Sequence, residues 1–65
     1  MDELSKQENK MLVALTTGKR YKEIAADNFI SINTVKKHLK SVYRKLHVHS
    51  RTAAIEKYHN KDKTN

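Results

Sequence analysis

Asn33, Lys37, Lys40 and Arg44 recur at three- and four-residue spacing. On a helix they share one side, with Lys36 on one shoulder and Thr34 on the other. The chemistry these side chains offer is hydrogen-bond donation: an amide, ammonium groups and a guanidinium fork, set where a partner rich in acceptors and negative charge would meet them. Interleaved with them, Val35, Leu39, Val42 and Leu46 form a narrow apolar stripe flanked by Ile32 and Tyr43. The stretch from Ser31 to Leu46 therefore predicts one helix with a face for a core and a face for an anion. Ser31 stands just ahead of the repeat, where its hydroxyl can accept an orphan backbone N–H.

A solvated amphipathic helix would show the same wheel, so the placement of charge decides. The chain has 65 residues and a formal net charge of +7. Residues 1–27 hold five acids and five bases, which cancel. From Asn28 to Ile55 there are six bases and no acid, and residues 56–65 add one positive charge. A merely soluble surface mixes signs. An acid-free basic stripe on one helix is the footprint of nucleic-acid binding.

Other chemistry is scarce. With no Cys there is no disulfide framework, thiolate zinc site or thiol nucleophile, which suits a reducing cytoplasm. His47-x-His49 has the look of a metal pair, but no Cys or nearby acid joins it, so no metal site is expected. His38 lies toward the edge of the core, where a structural histidine and a phosphate contact are both open readings. No nucleophile–base pair or ligand cluster is visible and the chain is small for a conventional pocket, so neither an enzyme nor a cofactor is expected. No apolar run approaches a membrane span or signal peptide.

The elements that must position the basic face follow from local signals. With no Pro and one Gly, the chain should be mostly helical. Residues 1–4 are expected to fray. Ser5-Lys6-Gln7-Glu8 has the form of a capping box, opening a first helix from Lys6 to about Thr17 that buries Met11, Leu12 and Leu15 and stops at Gly18. Glu8 and Ala14 lie at the edges of its buried face. A short second helix runs from Tyr21 to about Asn28 with Ile24 and Ala25 inward, although Arg20 and Tyr21 offer no good capping oxygen. Phe29 and Ile30 break the periodicity and predict a tight turn buried against the core. Two helices joined so briefly, the second one basic, fit a helix-turn-helix, and the small Ala25 lets them approach. After Leu46, His47-Val48-His49 forms an extended link with Val48 inward. Ser50 caps a fourth helix from about Arg51 to His59, packing Ala54, Ile55 and Tyr58. The domain thus spans residues 5–59, and residues 60–65 form a polar, disordered tail.

Read together, Leu4-Ser5-x-Gln7-Glu8, Gly18, Lys22-Glu23-Ile24-Ala25, Ile30-Ser31-x-x-Thr34-Val35-Lys36-x-His38 and Lys45-Leu46-x-Val48-x-Ser50-Arg51-x-x-Ala54 resemble the LuxR-type (GerE-like) DNA-binding domain. The match runs from Leu4 to about Tyr58. The resemblance implies an all-α, four-helix domain of bacterial transcription regulators, with the third helix in the major groove and the fourth often forming a dimer contact. Many such domains are the output half of a response regulator or quorum sensor, and a few stand alone. Position by position, the family's base-reading places fall on Lys36, Lys37 and Lys40, of which the wheel reaches Lys37 and Lys40 independently. Its backbone-contacting places fall on Lys22, Ser31, Thr34, Arg44, Lys45 and Arg51. The wheel also lets Asn33 reach an adenine edge, and leaves Lys36 free to contact phosphate instead.

Four positions depart from the family pattern. Arg20-Tyr21 replaces a small polar residue and Asn. Asn28 stands where a core Leu is usual, so either Phe29 fills that space or Asn28 bonds a backbone group. His47 replaces Gly after Lys-Leu, straining a left-handed cap, and Lys10 replaces a common Glu. All four touch stability rather than the reading face.

The expected function is sequence-specific binding of double-stranded DNA in transcription regulation, in the cytoplasm and nucleoid of a bacterium. Region 4 of a sigma factor shares Lys22-Glu23-Ile24-Ala25 and Thr34-Val35-Lys36 but normally lacks the Leu46-x-Val48-x-Ser50-Arg51 ending and the fourth helix. A helical protein-interaction module would tolerate acids among residues 28–55. Partners expected beside DNA are a second copy, joined weakly through the fourth helix near Ala53 or on DNA, and RNA polymerase. With no sensing element in the sequence, any signal acts through a further domain or through synthesis of the protein.

Overall fold

The computed structural model describes residues 3–61, the side chain of Lys61 excepted, and within them every regular element is helical. Helix α1 spans Lys6–Thr16, α2 Tyr21–Asp27, α3 Ile32–Leu46 and α4 Arg51–Lys61. The four-helix, all-α architecture is the one expected. Helix α4 continues two residues past the expected His59, taking in Asn60 and Lys61, while residues 62–65 of the expected tail lie outside the described residues. At the other end, Leu4 packs against the core, and Met1 and Asp2 lie outside the described residues.

The capping box forms as the sequence requires. The Glu8 backbone N–H donates to Ser5 Oγ at 3.1 Å, and the Ser5 N–H donates to Glu8 Oε1 at 2.9 Å. Two orphan donors of α1 are thereby satisfied. Helix α2 starts on half of the same device: Arg20 has no capping oxygen, but its N–H donates to Glu23 Oε1 at 2.8 Å. Ser31 Oγ accepts from the Thr34 N–H at 3.1 Å to open α3, and Ser50 Oγ accepts from the Ala53 N–H at 3.1 Å to open α4.

The turn between α2 and α3 departs from expectation. Phe29 is 95% exposed, not buried. Its φ of 58° is left-handed, its N–H bonds to the Ala26 carbonyl at 3.3 Å, and the Ile30 N–H reaches the Ala25 carbonyl at 3.0 Å. This is the paired hydrogen-bond pattern that closes a helix at a left-handed residue, and in it the hydrophobic contact belongs to the residue after the left-handed one. Ile30 accordingly packs on the core while Phe29 projects into solvent. Of the two alternatives at Asn28, the structure takes the second: Asn28 Nδ2 donates to the Ile24 carbonyl at 2.8 Å. The same motif ends α3. His47 sits at φ 60° and ψ 44°, its N–H bonded to Arg44 O, and the Val48 N–H bonds to Tyr43 O at 2.9 Å.

Helix α3 packs against each of the other three helices. The core holds Met11, Leu12 and Leu15 from α1, Ile24 and Ala25 from α2, Val35, Leu39 and Val42 from α3, and Ala54 from α4. Leu46, Val48, Ile55 and Tyr58 close around it half-buried. The stripe that sequence periodicity assigns to α3 is thus the stripe that is buried, which fixes where its other side must point.

Candidate nucleic-acid interface

Burial of Val35, Leu39 and Val42 leaves Asn33, Lys36, Lys37, Lys40 and Arg44 exposed along the outer side of α3. Lys22 is exposed on α2. Among the described residues the ion pairs are Lys19–Asp27 and Lys45–Glu8, so none of the five cations Lys22, Lys36, Lys37, Lys40 and Arg44 is ion-paired with a described acid. A row of unpaired cations on a rigid helix is electrostatically costly unless a polyanion neutralises it, and its potential attracts one.

Ser31 and Thr34 stand together at the start of this face. The Ser31 hydroxyl lies 2.9 Å from Thr34 Oγ1 as well as accepting the Thr34 N–H. Both hydroxyls surround the positive end of the α3 dipole, a place where phosphate oxygens are favoured. Ser31 is exposed and Thr34 half-buried.

Two of the expected backbone-contacting cations have partners inside the domain. Lys45 Nζ donates to Glu8 Oε1 at 2.8 Å and reaches the Glu3 carbonyl oxygen at 3.4 Å. Glu8 also accepts from Ser41 Oγ at 2.6 Å through its other oxygen. The Lys45 hydrogen bond, then those from Ser41 and the Ser5 N–H, hold the Glu8 carboxyl down at about 2, against the opposing effect of burial. Arg51, half-buried at the start of α4, donates from Nη2 to the Lys19 carbonyl at 2.8 Å, tying α4 to the α1–α2 loop. Its charge also acts on Tyr43, whose hydroxyl lies 3.3 Å from that of Tyr21. Burial, and then the Tyr21 hydroxyl, push the Tyr43 phenol above its ordinary range.

The Glu8–Ser41–Lys45 cluster has a sequence signal. Glu8 falls one turn before Met11 and Leu12, so its side chain belongs to the inward side of α1, and Ser41 and Lys45 stand one turn apart on α3. A further feature appears only in three dimensions: Lys40, Tyr43, Arg44, His47, Val48 and His49 line one shallow, open groove at the C-terminal end of α3. Ala53 is half-buried on α4. Among the described residues no three His, Cys, Asp or Glu side chains gather as a metal site would need, and no helix is long and apolar enough to cross a membrane.

Comparison with known proteins adds to this geometry. A family model for bacterial regulatory proteins of the luxR family matches residues 2–58. Among curated relatives, a nitrate/nitrite response regulator protein homolog from Haemophilus influenzae is 48% identical over 54 residues, covering 83% of this chain and 26% of that protein. The transcriptional regulatory protein LiaR from Bacillus subtilis is 42% identical over 53 residues, covering 82% of this chain and 25% of its own. The chain therefore spans about a quarter of the length of these relatives. The crystal structure of the response regulator ChrA of a heme-sensing two-component system superposes with a TM-score of 0.88 at 40% identity, over 95% of this chain and 31% of that one.

Proposed function

This chain belongs to the luxR family of bacterial regulatory proteins, and on that premise we propose that it binds double-stranded DNA sequence-specifically to regulate transcription. The carrying observation is the exposed row Lys36, Lys37, Lys40 and Arg44, without an ion pair among the described residues, on a helix whose opposite side is locked into the core. In this reading α3 lies in the major groove, where the lysine ammoniums donate to guanine O6 and N7 and Asn33 meets an adenine edge. Lys22, Ser31, Thr34 and Arg44 engage phosphates, and Arg51 does so with the donors not spent on Lys19. Lys45 is assigned to holding α3 on α1, since its ammonium is committed to Glu8.

Coverage of only a quarter of each relative leaves the setting open to two forms. The chain acts as the DNA-binding output part of a response regulator or quorum-sensor type protein, or as a small stand-alone regulator. Its place is the cytoplasm of a bacterium, on the nucleoid. A second copy pairing through α4 near Ala53 or on the DNA, and RNA polymerase, are the protein partners this role calls for. Selection from a pool of random duplexes tests the function directly. Recovery of a common sequence motif is the expected result, and retention of unrelated sequences at equal affinity would refute sequence specificity.

A further inference from the structure

Three large apolar side chains stand exposed among the described residues: Val13 at 37%, Phe29 at 95% and Ile32 at 42%. Val13 is a single residue on α1, and scattered exposed apolar residues need no account. Phe29 is turned outward by the left-handed backbone it occupies. Ile32 has no such reason. It is the first residue of α3, and its side chain remains open to solvent although Val35 one turn on is fully buried.

Its position on the helix is specific. Ile32 precedes Lys36 by one turn, and Lys36 precedes Lys40 by one turn, so the three form a single row along the groove-facing shoulder. Ile32 is also next in sequence to Asn33. The donor face therefore begins with a branched hydrocarbon at the N-terminal end of the helix, the part of a recognition helix that approaches base edges. On the major-groove edge of B-DNA the apolar group available is the C5-methyl of thymine.

We propose that Ile32 is a specificity-determining residue that packs against a thymine methyl, adding A·T information to a face whose lysine donors suit guanine. The inference rests on the major-groove placement of α3. It pairs naturally with Asn33, whose amide can hydrogen-bond adenine N6 and N7 at the same or the adjoining base pair.

The test uses a selected duplex and a series of copies in which each thymine in turn is replaced by deoxyuridine, which removes the methyl and nothing else. Wild-type protein should bind one member of the series about fourfold more weakly, the value of one buried methylene-sized group. Ile32→Ala should bind that member and the parent duplex equally, and Ile32→Val should keep most of the discrimination. Phe29→Ser should keep it in full. Each ratio is internal to one protein, so a change in folded fraction cancels. The proposal is overturned if no uracil position weakens wild type, if the penalty persists in Ile32→Ala, or if Phe29→Ser removes it. Failure of wild type to prefer the selected duplex over random DNA is a different result, which removes the groove placement itself.

Discussion

The Lys45 ammonium and the Glu8 carboxylate meet at 2.8 Å across the α1–α3 packing. Glu8 has its side chain 9% exposed and Lys45 25% exposed, so the pair is better shielded than a surface ion pair. One carboxylate serves three partners: it completes the α1 cap, accepts the Ser41 hydroxyl and neutralises Lys45. Glu8→Gln should therefore cost ~1–3 kcal/mol at neutral pH, since it removes the charge while the amide oxygen can still cap. Chemical denaturation of both proteins reads this directly.

The same carboxylate sets an acid limit. Its folded-state pKa of about 2 lies below the ordinary 4.5, so its contribution to stability is complete above the ordinary value and is lost as pH falls toward 2. Thermal melts between pH 7 and 2 should show the gap between wild type and Glu8→Gln closing over that interval. A gap that stays constant would mean that the charge of Glu8 does not carry the stability.

On DNA, the exposed lysines and the anchoring cations should separate. Lys37→Ala or Lys40→Ala should cost ~1–3 kcal/mol on a specific site and relax its sequence preference. Lys22→Ala or Arg44→Ala should weaken specific and random duplexes alike and flatten the salt dependence. Lys45→Met should leave the salt slope unchanged while lowering the melting temperature. Titrations at several salt concentrations check all five, and an equal loss for every variant on every sequence would sink the assignment of base readers.

Leu39 is 1% exposed at the middle of the buried stripe. Leu39→Ala should cost ~2–5 kcal/mol through lost burial and the cavity left behind. For a domain this small that is a large share of the ~5–15 kcal/mol typical of folded proteins. Circular dichroism melts should show a large drop, with helical content lost near ambient temperature.

Two helix ends place a side chain where glycine is at ease, at Phe29 and His47. His47→Gly should stabilise by ~1 kcal/mol, because the left-handed conformation costs a Cβ-bearing residue roughly that much. Phe29→Gly should act the same way and also remove an exposed ring. Phe29 lies outside the proposed reading row, so Phe29→Gly should leave DNA affinity per folded molecule constant in binding assays.

Assembly is expected to be weak in solution. The core already uses most of the apolar side chains, and α4 offers little more than the half-buried Ala53, Ile55 and Tyr58. A pair bound to a palindrome with half-sites about one helical turn apart would double the contacts. Analytical ultracentrifugation should find mainly monomer without DNA and two chains on a palindromic duplex. A tight free dimer, or a strict one-to-one complex at saturating protein, would contradict this.

Periodicity and capping residues made the helices legible. Ser5, Ser31 and Ser50 each mark the start of the element they cap, and Val35, Leu39 and Val42 identify the buried side of α3 before any coordinate is known. The luxR-family membership and all-α fold were readable from the same residues. What stayed hidden depends on backbone handedness and distant pairing. Apolarity alone put Phe29 inside, because the sequence does not state that the residue after Asn28 turns left-handed and passes the buried position to Ile30. Lys45 resembled the other cations of α3, since its partner Glu8 lies 37 residues away and only the helix packing brings them together.

The Glu8 clamp has a further consequence for α3, because it adds a polar restraint to the rotational phase that the buried stripe of Val35, Leu39 and Val42 already sets. Each residue of roll would carry the donor row through roughly 100° of azimuth, and even a small fraction of that would miss a base edge. Ser41 and Lys45 are caught by a single carboxylate that is itself fixed at a helix start, so they act as an index pin for the rotational phase of α3. The outward placement of Lys36, Lys37 and Lys40 thus rests on the buried stripe together with a carboxylate on a different helix.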